Sequence, residues 1–205
     1  MSISENVAQI LLREKAVFLN PNNPFTWASG ILSPVYCDNR ILISNVKARE
    51  YIVNCFIEKI KPLNLDLIAG TATAGIPWAA WIAHELKLPL VYVRSSNKDH
   101  GRQNAIEGKV EQGQRAVLIE DLVSTGKSSI LAANKLEESG IHVDLIISIF
   151  SYQFDKTQEN FNSYQLTSDS LSCFEDLAKV AYNEKMLDTE ALNQVLDWKK
   201  GVRFP

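Results

Sequence analysis

Short apolar runs alternate with segments of helical period from residue 65 to residue 150, and few folds accept that order. Residues 65–69, 90–93, 116–119 and 143–150 read as strands. Residues 76–86 and 126–138 read as helices, the first with Pro77 in its opening turn and the second closed by Gly140. Parallel strands cannot be joined by a tight turn and usually take a helix as the crossover. The order therefore predicts an α/β fold, a parallel sheet flanked by helices on both faces. Ligands on such sheets bind beyond the carboxyl ends of the strands. That rule directs attention to the loops at 70–75, 94–114, 121–125 and 151–153.

The rest of the chain fits around this unit. Residues 2–16 carry Ile3, Val7, Ile10 and Leu11 at helical spacing, with Ser2 and Glu5 placed as a capping box. A turn at 20–24 leads into a hairpin within 25–38, and residues 45–60 return to helical period. Residues 154–205 read as further helices with one short strand near 164–167. With 46% hydrophobic side chains, the 205 residues suit a single domain, 1–205, around one core. A net charge of -3 offers no basic face to a nucleic acid backbone. The apolar runs fall short of the roughly 20 residues a membrane helix needs. Residues 1–14 also lack the pattern of a signal peptide, so a cytoplasmic protein is expected. Cys37, Cys55 and Cys173 are widely spaced and odd in number, which predicts buried reduced thiols rather than disulfides or a zinc site. His84 and His142 read as structural, whereas His100, in a polar glycine-containing segment, is a functional candidate.

The segment with chemical content is Ala116-Val-Leu-Ile-Glu-Asp-Leu-Val-Ser-Thr-Gly-Lys-Ser-Ser129. An apolar strand meets two adjacent acids, Glu120 and Asp121, then a hydroxyl-rich turn opening a helix. Backbone N–H groups of residues 124–128 would stand unpaired at the helix start, where an anion is favoured. Gly126 lets the backbone curl, and the hydroxyls of Ser124, Thr125 and Ser128 add donors. The two acids are suited to accept from the hydroxyls of a ribose, so the order fits a ribose 5-phosphate. A nucleotide P-loop is excluded on spacing, because the position five before Gly126 is Asp121 and not glycine.

Residues 117–128 resemble the phosphoribosyl diphosphate signature of type I phosphoribosyltransferases. Three further blocks are similar to the orotate phosphoribosyltransferase family, in the same order and at compatible spacing. They are Phe25-Thr-Trp-Ala-Ser-Gly-Ile-Leu-Ser-Pro-Val-Tyr-Cys-Asp-Asn-Arg40, Gly70-Thr-Ala-Thr-Ala-Gly-Ile-Pro77 and Arg94-Ser-Ser-Asn-Lys-Asp-His-Gly101. The resemblance implies the type I fold with a small N-terminal hood from about residues 1–40. It also implies transfer of the phosphoribosyl group from 5-phospho-α-D-ribose 1-diphosphate to orotate, giving orotidine 5'-phosphate and diphosphate in pyrimidine synthesis. Magnesium is the expected cofactor, liganded by substrate oxygens with none directly from the protein.

By the same resemblance, the loop after Arg94 closes over the active site of a neighbouring subunit, so a homodimer with shared sites is implied. Arg94, Lys98 and His100 are carried over as diphosphate contacts, with Lys98 the stabiliser of departing charge and Asp121 the third catalytic candidate. Glu120, Asp121, Leu122, Val123, Ser124, Thr125, Gly126, Lys127 and Ser128 complete the sugar-phosphate site, and Ser124 also touches orotate. The match departs at Ala28 and Ala74, where some members carry lysine, and at Ser95, Glu120 and Lys127. Some members also hold the orotate carboxylate with an arginine after the strand at 145–150, where this chain has Ser151, Tyr152 and Gln153. Arg40 or backbone donors are the candidates for that task here.

Overall fold

The computed structural model describes residues 1–27, 29–94 and 105–204. Helix α1 (Ile3–Arg13) starts on a true capping box: the Ser2 hydroxyl accepts from the Glu5 N–H and the Glu5 carboxylate accepts from the Ser2 N–H. Strands β1 (Val17–Leu19), β2 (Phe25–Thr26), β3 (Leu32–Ser33) and β4 (Val35–Cys37) follow. The hairpin expected within 25–38 is shorter than read: β2 pairs with β3, but β4 returns to β1. Pro34 stands between β3 and β4, has no N–H for a ladder, and accepts from the Asn20 N–H at 2.7 Å. A 3-10 helix (Asn39–Ser44), capped by the Asp38 carboxylate, leads to α2 (Val46–Ile60).

The main unit runs β5 (Leu67–Thr71), α3 (Gly75–Leu86), β6 (Leu90–Val93), β7 (Ile106–Glu107), β8 (Arg115–Val123), α4 (Lys127–Glu138), β9 (His142–Ser151). It is completed by α5 (Asp155–Ser163), β10 (Ser168–Cys173), α6 (Phe174–Asn183) and α7 (Thr189–Gly201). The six-stranded sheet has the order β10-β9-β8-β5-β6-β7, parallel throughout except for β7. Alternation along the strands fills two layers. Ile68, Val117, Ile119, Ile147 and Ile149 pack with α1, α2, α3 and α6, while Leu67, Ala69, Val91, Leu118 and Ile146 pack with α4.

Two expected strands sit elsewhere. The first begins at Leu67 rather than 65 and continues through Gly70 and Thr71, because its ladder partners Tyr92 and Val93 extend that far. The one placed near 164–167 is Ser168–Cys173, a serine-rich edge strand that follows β9. Among the described residues, no helix is long and apolar enough to cross a membrane. Of the three thiols, Cys55 is buried, but Cys37 and Cys173 are only half-buried. His84 and His142 are exposed, the latter 3.3 Å from the Asp144 carboxylate.

Candidate active site

The carboxyl ends of β5, β6, β8 and β9 open on one side of the sheet, where the sheet rule places ligands. Strand β8 runs on to Val123, so Glu120 and Asp121 lie inside the strand rather than after it. Its alternation slips at these acids, for Ile119 and Leu122 pack into the same layer although three residues apart. Glu120 is 5% exposed, faces α4, and accepts from the Ser129 hydroxyl at 3.2 Å and from the Asp121 N–H at 3.1 Å. Burial, and then the neighbouring Asp121 carboxylate, push the Glu120 carboxyl up to about 8. Asp121 is only partly exposed, and burial raises its carboxyl above the ordinary range too. The two acids are adjacent but unequal: Glu120 is buried against α4, whereas Asp121 is only partly buried.

After the strand, Ser124 and Thr125 turn into α4 through Gly126, whose φ of 78° is left-handed and whose side a Cβ would drive into the Phe161 ring. No side chain caps α4, so its first N–H groups are open to an anion. The turn is tied down from behind by α5. Thr157 Oγ1 donates to the Ser124 carbonyl, Asn160 Nδ2 donates to the Thr125 carbonyl at 2.8 Å, and the Tyr152 N–H donates to the Val123 carbonyl. Beside it, the loop 70–75 hugs β8: a Cβ on Gly75 would strike the Ile119 carbonyl, and one on Gly70 would come within 2.9 Å of Ala79 Cβ. Thr71, 7% exposed, has a buried Oγ1 with no hydrogen-bond partner among the described residues.

Over these loops lies the hood. Trp27, Tyr36, Cys37, Leu122, Ser124 and Tyr152 enclose a cavity of about 180 Å³, largely aromatic, with the Ser124 side of the turn as one wall. Burial pushes both the Cys37 thiol and the Tyr152 phenol well up, so neither ionises near neutral pH. Asn39, 1% exposed, pins the hood to the sheet by donating to the Asp121 carbonyl at 2.7 Å. Trp27 packs 5.0 Å from Tyr152 and 5.8 Å from Trp198, and the Trp198 indole N–H donates to the Leu32 carbonyl at 2.8 Å.

The structure thus joins the segment from Glu120 to Ser128 to the hood, with Leu122 and Ser124 shared by the cavity wall and the turn. Lys127 points elsewhere, lining a separate cavity of about 360 Å³ with Thr125, Lys156 and Arg203. Arg94 directly follows β6, and its guanidinium is held 3.3 Å from the Glu107 carboxylate. Lys98 and His100, with Ser95 and Ala28, lie outside the described residues. Sequence reading did not single out Thr71, Asn39, Thr157 or Asn160. Position within the loop named at 70–75 could have pointed to Thr71; the others are props brought in by tertiary approach and leave no local signal.

A profile of the phosphoribosyl transferase domain matches residues 40–183. The orotate phosphoribosyltransferase of Coxiella burnetii is 46% identical over 202 residues, covering 98% of this chain and 97% of that protein. That of Listeria innocua is 48% identical over 203 residues, with the same coverage of 98% and 97%. Among solved structures, orotate phosphoribosyltransferase from Aeropyrum pernix superposes with a TM-score of 0.76 at 26% identity, covering 89% of this chain and 99% of that one. Identity at this level over 98% of the chain leads to one conclusion: the chain belongs to the orotate phosphoribosyltransferase family.

Proposed function

We propose that residues 1–205 work as a single domain in which the β8 turn holds the sugar phosphate and the hood cavity holds orotate. N1 of orotate forms a bond to the anomeric carbon of the phosphoribosyl donor as the bond from that carbon to the diphosphate breaks; the electron pair leaves on the diphosphate and the N1 proton is released to water. The N–H groups and hydroxyls of the turn from Ser124 to Ser128 take the 5-phosphate, with Leu122 and Val123 setting the strand end from which it departs. Asp121 accepts from one ribose hydroxyl. Glu120 accepts from the other by exchanging its Ser129 contact for the sugar. Developing positive charge on the ribose is then matched by a carboxylate fixed in a site of low polarity.

The loop 70–75 receives the diphosphate on its backbone, and the orphaned Thr71 hydroxyl supplies a donor to it. Arg94, Lys98 and His100 meet the same group, with Lys98 opposing the charge as it departs. Magnesium bound to the donor's hard oxygens would supply charge neutralisation for the diphosphate. Among the described residues there is no group of three His, Cys, Asp or Glu side chains placed to hold a metal ion. Lid residues that reach a neighbouring site require a two-fold homodimer, and the reading places the protein in the cytoplasm, without nucleic acid or membrane partners.

The observation that carries this reading is the 180 Å³ aromatic cavity sharing Ser124 with the turn, since it sets a pyrimidine-sized space beside the sugar site. The test is absorbance-monitored consumption of orotate with phosphoribosyl diphosphate and magnesium, with uracil, hypoxanthine and adenine as competing bases. Orotate alone should be consumed, and only while magnesium is present; turnover of uracil but not orotate would overturn the assignment.

A further inference from the structure

The cavity assigned to the base has no cationic side chain in its lining, although orotate brings a carboxylate at neutral pH. An unpaired carboxylate against Trp27, Tyr36 and Tyr152 would be strongly disfavoured, so a counter-charge has to stand at the rim. Other described cations near the strand ends are committed elsewhere: Arg94 pairs with Glu107, while Lys127 and Arg203 line the separate 360 Å³ cavity. The hood chain itself carries another. After giving Tyr36 and Cys37 to the wall, it passes through Asp38 and the buried Asn39, which is fastened to the Asp121 carbonyl at 2.7 Å, and reaches Arg40.

The Arg40 guanidinium is gripped as a fork by Asp38, Nε to Oδ1 at 2.7 Å and Nη2 to Oδ2 at 2.9 Å. That grip fixes the plane of the group and leaves Nη1 without a protein partner among the described residues. The side chain is 66% exposed and comes three residues after Cys37 of the cavity wall, so it is open to a ligand on the hood side. Its charge couples to Tyr36, a wall residue, and to Asp121, at the sugar end of the site. Arginine presents donors in a planar arrangement matched to a carboxylate.

We propose that Arg40 is the specificity residue that receives the orotate carboxylate, oriented for it by Asp38; the inference rests on the hood cavity being the base site. It explains how this chain does without the arginine that some relatives carry just after the strand at 145–150, where it has Ser151, Tyr152 and Gln153.

The test compares the wild-type protein with Arg40→Ala, Arg40→Lys and Asp38→Asn in steady-state assays. The readouts are KM for orotate, KM for phosphoribosyl diphosphate, and the inhibition constant of uracil, which lacks the carboxylate. Arg40→Ala should raise KM for orotate about 10- to 100-fold, the range for one lost charge-assisted contact, with kcat and the KM for the sugar donor within threefold. The uracil constant should not move, Arg40→Lys should recover part of the loss, and Asp38→Asn should give a smaller rise. An unchanged KM for orotate, or an equal loss for orotate and uracil, overturns the assignment; the second result would show a hood-folding role. A wild-type protein that consumes no orotate overturns the base-site reading itself, a separate failure seen before any variant is made.

Discussion

Glu120→Gln should remove the pH dependence that one buried acid imposes on this fold. Glu120 is 5% exposed, and burial pushes its carboxyl up to about 8, whereas in the unfolded chain it titrates near 4.5. Between those two values the native protein holds a proton that the unfolded chain has released. Stability therefore falls as pH rises through that window, by roughly 1.4 kcal/mol for each pH unit. Across the whole window the loss amounts to roughly 3 to 5 kcal/mol, a large share of the ~5–15 kcal/mol that holds a domain together. Glutamine has nearly the same shape, keeps an acceptor for the Ser129 hydroxyl or the Asp121 N–H, and never ionises. The stability difference between variant and wild type should be small at pH 5 and favour the variant by roughly 3 kcal/mol or more at pH 8. Urea unfolding followed by tryptophan fluorescence at pH 5, 6.5 and 8, at one fixed protein concentration, measures it. Parallel curves for the two proteins across that range would refute the reasoning, since Glu120 would then be ionised in the native state.

Three further perturbations probe the site. Gly75→Ala should cost roughly 3 kcal/mol or more in the same unfolding assay, because its Cβ would meet the Ile119 carbonyl, which is rigid backbone; a loss under 1 kcal/mol would mean that the loop 70–75 can shift. Thr157→Val leaves the Ser124 carbonyl without its donor at similar shape, and is expected to raise KM for phosphoribosyl diphosphate several-fold and to cost about 1–3 kcal/mol of stability. Lys98→Ala is expected to lower kcat by roughly 100-fold, the scale for one transition-state donor, with near-normal turnover in steady-state assay the contrary result.

The sheet was legible because its central strands are continuous apolar runs, and the turn because Gly126 and the hydroxyls around it have few other uses. The acids were legible by type but not by placement. A pair of carboxylates after Ile119 looks like the end of a strand, yet β8 continues since Glu120 finds Ser129 and the Asp121 N–H within the fold. Strand β10 has no local signature at all: Ser168, Asp169 and Ser170 are polar, and β9 rather than side-chain pattern makes them a strand. Thr157 and Asn160 act on the turn across more than thirty residues of chain, so nothing near them in sequence marks their task. Lys98 and His100 rest on the resemblance of their segment alone.

The bond from the Trp198 indole to the Leu32 carbonyl ties the hairpin near the start of the chain to its final helix. Hood and final helix therefore form one bracket, with Trp27 as its rivet between Tyr152 and Trp198. A substitution on the inner face of α7 that loosens this bracket will be felt first by the pyrimidine and only afterwards by the sugar donor, whose turn is braced independently by α5. On the proposed reading, base discrimination would thus depend on a helix that does not line the hood cavity.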